Sequence, residues 1–208
     1  MRVTPQSLRR KLLRGVLVPV LALGVIGGAA GCSSSANSIA AQANQGNDKG
    51  YQAGDGTVEQ LSRSERKKPV SFAGETLAGK PWSTNDVKGK VLVLNVWGAW
   101  CPPCQAEMPE LEKAWKQFQK GGQPVAMMGL DQQDSPARAA ATIAKWKVTY
   151  PSLRDDGGQM LLDLQNKVVT TPTTLVLDQQ HRIAARVSGQ VTASTLTGLV
   201  QDVLKEKS

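Results

Sequence analysis

The sequence predicts an α/β domain in which helices flank a central mixed β-sheet. Two observations carry that expectation. Apolar runs of strand length alternate with stretches of helical period in the order β-α-β-α-β-β-α, and such alternation folds as helices packed on a sheet. The last two strands are separated only by "QQH" and read as a hairpin, which makes the sheet mixed. The 208 residues allow one ordinary domain plus extensions, and 40% apolar content supports a buried core but not a polytopic membrane protein.

The first element is not part of that fold. Residues 1–31 hold Arg2, Arg9, Arg10, Lys11 and Arg14 and no acid, then the apolar run Val16–Ile26, then "GGAAGC". A basic head, apolar middle and small-residue end form an export signal. The apolar stretch Gly15–Gly31 contains Pro19 and several glycines and lies at the short limit for a span, which leaves an uncleaved anchor as the alternative. The ending "AAGC", Ala29–Cys32, resembles a bacterial lipobox, with Ala29 in place of the usual leucine. That resemblance implies cleavage before Cys32, lipid on its sulfur, and a protein held on the extracytoplasmic side of the cell membrane. "LRRKLLRG" also resembles a twin-arginine signal, so the export route stays open. This segment carries five of the eight net positive charges, leaving +3 on the other 177 residues. That is too little for the basic face a nucleic-acid partner requires.

Residues 32–68 are rich in Ser, Ala, Asn, Gln and Gly with no sustained apolar period. Such a stretch buries too little surface to offset its ordering entropy and reads as a flexible polar tether. Its "RSERKK" run, Arg63–Lys68, reads as solvated linker, with contact to anionic lipid as the alternative. The folded domain is then expected over 69–208. "GKVLVLNVW" (Gly89–Trp97) is uniformly apolar and therefore central. It runs into "CPPC" and a helix to Lys120. "PVAMMGLD" is a second buried strand. The next helix starts near Asp134 or Ser135 as cap, with Pro136 in its first turn. Thr173–Asp178 and Arg182–Gly189 form the hairpin, and an amphipathic helix from Thr192 closes the chain.

Chemistry concentrates in "NVWGAWCPPCQAEMPEL", Asn95–Leu111. A cysteine at a helix start faces free backbone N–H groups and the positive end of the helix dipole, both of which favour the reactive thiolate. Cys101 fits that position, with Pro102 where a helix tolerates proline best. Cys104 follows one turn later, placed to resolve a mixed disulfide formed by Cys101. A zinc site needs two further ligands, and only Cys32 and the lone His181 remain. A purely structural disulfide closing so small a loop would stabilise weakly. With Cys32 lipidated, the three cysteines leave one self-contained pair, and no metal or cofactor beyond that redox-active disulfide is expected. Trp97 reads as core, Trp82 and Trp146 as packing residues, and Glu110 and Glu112 as solvated helix carboxylates. His181 and Tyr150 show no readable role.

These motifs, with "TTPTTLVLD" downstream, resemble the thioredoxin superfamily, and within it the membrane-tethered, extracytoplasmic ResA/TlpA-like thiol-disulfide oxidoreductases. The resemblance covers residues 69–208 and the pattern W-C-x-x-C-x-x-E-x-P, met by Trp100, Cys101, Cys104, Glu107 and Pro109. It implies a thioredoxin-like fold and a cis-proline at Pro172, which would free the backbone of Thr171 to pair with an extended substrate. Trp100 then offers an apolar platform beside the disulfide, with Pro102 and Pro103 at the same surface. Thioredoxins proper place a buried aspartate where this chain has Asn95, which cannot exchange a proton. In ResA-like proteins the glutamate at the position of Glu107 is implied to assist proton movement, either raising the thiol pKa or accepting the resolving thiol's proton. The implied partners are thiols and disulfides of exported proteins, apocytochrome c cysteines among them, a membrane thiol relay as electron donor, and the bilayer through Cys32.

The direction of electron flow follows from the two prolines. Neither Pro102 nor Pro103 has an N–H, so two potential donors to a Cys101 thiolate are missing and only Cys104 N–H remains. Less support for thiolate makes a weaker oxidant, nearer roughly −270 mV than roughly −120 mV. A thiol peroxidase, a copper-delivery protein and a binding lipoprotein with an idle disulfide are the competing readings. The first fits a double-cysteine helix start poorly, and the second typically has three residues between its cysteines and a histidine ligand downstream.

Overall fold

The computed structural model of the protein describes residues 56–155 and 157–206. Residues 1–55, including Cys32 and the expected export signal, lie outside the described residues. A six-stranded mixed sheet forms the centre, in the order β1-β8-β7-β4-β5-β6. Its strands are β1 (Thr57–Gln60), β4 (Val91–Trp97), β5 (Val125–Gln132), β6 (Ser152–Asp155), β7 (Thr173–Leu177) and β8 (Ile183–Ser188). A separate hairpin, β2 (Ala73–Glu75) and β3 (Pro81–Ser83), bridges through Thr76 to Leu153 on β6. The helices are α1 (Pro102–Lys120), α2 (Pro136–Trp146), the short α3 (Gln159–Asp163) and α4 (Ala193–Lys205). None of the described helices is long and apolar enough to cross a membrane.

Strand β4 is buried along its whole length, as its apolar run, interrupted only by Asn95, predicts. Side chains alternate across it. Val91 and Val93 face Leu111, Ala114 and Phe118 of α1 and Leu196, Leu199 and Val200 of α4. Leu92, Leu94 and Val96 face Val70, Phe72, Leu164, Leu175 and Leu177 on the other side. Parallel pairing with β5 and antiparallel pairing with β7 put β4 at the middle of the sheet. The β7–β8 hairpin turns where expected. His181 takes a left-handed conformation (φ 59°) there, and its N–H donates to the Asp178 carbonyl. The His181 ring is buried, with Nε2 3.3 Å from the Val87 carbonyl oxygen.

The tether expected over 32–68 ends earlier than Lys68. Thr57–Gln60 pair antiparallel with Ala185–Ser188 as an edge strand. Arg66, inside the run read as solvated linker, is buried. Its guanidinium donates to Asp178 Oδ2 at 3.1 Å and to Glu206 Oε2 at 2.7 Å. The segment is polar because it covers an edge and supplies an ion pair, which hydrophobic period cannot reveal. Burial pushes the Asp178 carboxyl up, but the N–H of Arg182 and the guanidinium groups of Arg66 and Arg182 outweigh it and hold the pKa below the ordinary carboxylate value. Strands β2, β3 and β6 and helix α3 are likewise too short to show a period.

Candidate active site

Strand β4 delivers the chain to the site, and α1 begins there. Gly98 sits between them because a Cβ at this position would lie 2.4 Å from the Trp100 indole nitrogen. Trp100 folds back over that glycine. Its Nε1–H donates to the Gln132 carbonyl at 3.0 Å and its ring stays 41% exposed. Trp97 is buried and donates to Ser152 Oγ at 3.3 Å across Gly129, where any Cβ would collide with that hydroxyl.

Cys101 is the N-cap of α1, with Pro102 and Pro103 as the first helical residues. Its sulfur accepts the backbone N–H of Cys104 at 3.2 Å, the one donor the two prolines leave. Cys101 and Cys104 form a disulfide. Cys104 is fully buried, whereas Pro102 and Pro103 are exposed. The Thr171–Pro172 peptide is cis, and the Thr171 carbonyl oxygen lies 3.8 Å from Cys101 Sγ. Trp100, Pro102, Pro103, Thr171 and Pro172 thus gather around the disulfide. Gln132 ties two of these parts together: its carbonyl accepts from Trp100, and its side-chain amide donates to Thr171 Oγ1. Asp134 is not the cap of α2. Ser135 takes that position, and Asp134 Oδ2 accepts the N–H of Ala99 at 2.6 Å, bracing the loop before Cys101.

Beneath the disulfide, Glu107 is buried at 2% exposure, one turn of α1 beyond Cys104. Asn95, on the face of β4 toward α1, donates through Nδ2 to Glu107 Oε1 at 2.8 Å and to Thr174 Oγ1 at 3.1 Å. The backbone N–H of Val191 donates to Glu107 Oε2 at 3.1 Å. Both carboxylate oxygens therefore accept N–H groups, and the asparagine orients the acid. Glu110 and Glu112 are not the solvated carboxylates expected. Glu110 Oε2 accepts the N–H of Ala193 at the start of α4, where a negative charge suits the helix dipole. Glu112 is buried, accepts from both N–H and Oγ1 of Thr149, and pairs with Lys116 at 3.1 Å. Burial first, then the charges of Glu107 and Glu112, push the Tyr150 hydroxyl far above the usual tyrosine range.

The loop after β8 completes the site, and nothing in the sequence singled it out. Gly189 N–H donates to the Pro172 carbonyl at 2.9 Å, and Gln190 Nε2 donates to the Pro103 carbonyl at 3.1 Å. Val191 reaches Glu107 as above. Only the glycine, at φ 95°, carried a local signal.

A cysteine pair at a helix start, facing a cis-proline on a thioredoxin-like sheet, performs dithiol exchange, and this protein is a thiol-disulfide oxidoreductase. The chain belongs to the AhpC/TSA family, whose family model matches residues 66–186. It is 30% identical over 135 residues to thiol-disulfide oxidoreductase ResA of Bacillus subtilis (strain 168), covering 65% of this chain and 73% of that protein. A secreted thiol-disulfide isomerase from Corynebacterium glutamicum shares the fold with a TM-score of 0.67 at 26% identity, over 75% of this chain and 97% of the other. A DsbF homologue from Corynebacterium diphtheriae gives a TM-score of 0.64 at 29% identity, over 73% and 96%.

Proposed function

We propose that the protein works outside the cytoplasmic membrane as a reductase of disulfides in exported proteins, held at the bilayer by lipid on Cys32. The observation that carries the direction is the Cys104 N–H, the single donor to Cys101 Sγ among the described residues. With so little support the thiolate is a good electron donor and the disulfide a weak oxidant. The Cys101 thiolate attacks one sulfur of a client disulfide, giving a mixed disulfide and a client thiolate. Cys104 then loses its proton to Glu107 and attacks Cys101 Sγ. The second client thiolate leaves, the Cys101–Cys104 disulfide forms, and the client has gained two electrons. Exported clients and a membrane thiol donor are supported by the export signal and by the resemblance to ResA-type proteins, which extends the client class to apocytochrome c cysteines.

The test is insulin reduction by the full-length protein, with Cys101→Ser as control, together with the reduction potential against glutathione. Turnover that vanishes in the variant, with a potential more negative than about −180 mV, is expected. Equal inactivity of both proteins would overturn the oxidoreductase reading, and a more positive potential would reverse the direction. Peroxide consumption matching the disulfide turnover would instead favour the peroxidase reading.

A further inference from the structure

Three consecutive residues after β8 hold three different parts of the site. Gly189 N–H holds the carbonyl of the cis-proline, Gln190 Nε2 holds the Pro103 carbonyl, and Val191 N–H holds Glu107 Oε2. Two of these contacts are backbone and available to any sequence. The middle one depends on a side chain.

We propose that Gln190 is a positioning residue of the dithiol, locking the first turn of α1 to the loop whose Val191 N–H holds the proton acceptor Glu107. The inference rests on the reductase reading and deepens it. Because Pro102 and Pro103 have no N–H, the start of α1 has lost the donors by which a helix terminus is normally tied down. Its carbonyls are intact, and the Pro103 carbonyl is the one that accepts the N–H of residue 107 in a regular helix. A carbonyl oxygen has two lone pairs, so the Gln190 amide adds a second bond to the peptide adjoining both Cys104 and Glu107. The amide therefore sets how Cys104 sits relative to the Glu107 carboxylate when the disulfide opens. Its hydrogen bond is to the Pro103 carbonyl and not to either sulfur. Its removal leaves the attack of Cys101 on a client nearly intact and slows resolution, the step in which Cys104 hands its proton to Glu107.

The experiment compares full-length wild type with Gln190→Ala, Gln190→Glu and Gln190→Lys. Cys101 reactivity is read from alkylation of the reduced protein, resolution from the second thiol released in single turnover. One neutral hydrogen bond corresponds to a rate change of about fivefold. Gln190→Ala is expected to slow resolution by about that factor and to leave alkylation within about twofold. Gln190→Glu, isosteric but with an acceptor against a carbonyl, slows it further. Gln190→Lys retains a donor and restores it. The pH dependence of resolution shifts in the alanine and glutamate variants, which simple loosening of a surface loop would not cause. Wild-type resolution rates and pH dependence in Gln190→Ala, or equal losses in all three variants, would overturn the proposal. Inactivity of wild type itself would instead remove the underlying reading.

Discussion

Replacing Glu107 with glutamine tests the mechanism at its least visible point. The carboxylate accepts Asn95 Nδ2 at 2.8 Å and Val191 N–H at 3.1 Å. A glutamine keeps one oxygen, so its NH2 group must face one of those two donors. One hydrogen bond is lost and one buried donor is left unmatched, which costs about 1–3 kcal/mol of stability. The kinetic effect is larger and confined to one step. A positioned general base accelerates proton transfer by about 10²–10⁴-fold. Glu107→Gln should therefore form the mixed disulfide at close to the wild-type rate and resolve it about a hundredfold or more slowly. Stopped-flow detection of the two client thiols separates the steps, and urea unfolding measures the stability loss independently. The variant's resolution rate should climb steadily with pH, because solvent hydroxide must take over the proton. Resolution within about twofold of wild type between about pH 6 and pH 9 would refute the assignment of Glu107 as proton acceptor.

Other consequences follow from the same contacts. Arg66→Ala strips one buried partner from Asp178, which keeps Arg182, and the main one from Glu206 and should cost roughly 1.5–3 kcal/mol in urea unfolding; a loss below about 1 kcal/mol would mean that the Arg66 ion pairs do not anchor the segment after β1. The depressed pKa of Asp178 means that the unfolded chain binds more protons in the window below the ordinary carboxylate value. The Asp178 contribution is thus complete above about pH 4 and disappears as pH falls through the folded value. Asp178→Asn should flatten that acid limb, and an unchanged slope would contradict it. Trp100→Ala removes a 41% exposed ring from the rim of the disulfide. It should lower kcat/KM for a protein disulfide by about tenfold or more while sparing a small aromatic disulfide, and equal losses on both would argue against a docking role.

The parts of this molecule legible in the sequence are those whose signal is local. Val91–Trp97 announces a central strand because every residue in it but Asn95 is apolar. Cys101-Pro102-Pro103-Cys104 announces a helix start because proline and a capping cysteine have few other places to go. The parts that were not legible are contacts whose two halves lie far apart. Glu112 looks like any exposed helix acid until Thr149, on the loop after α2, closes over it. Arg66 sits in a run of charges that composition marks as solvent-facing, and its partner Asp178 lies 112 positions away. The active site divides in the same way. Its reacting sulfurs and their missing donors are written in four adjacent letters. Its hold on Glu107, the proposed proton acceptor, comes from Asn95 on β4 and the loop 189–191, elements that share nothing in sequence. A CPPC motif alone therefore specifies that exchange occurs at Cys101. In the proposed mechanism, how readily the mixed disulfide is resolved depends on the residues that hold Glu107.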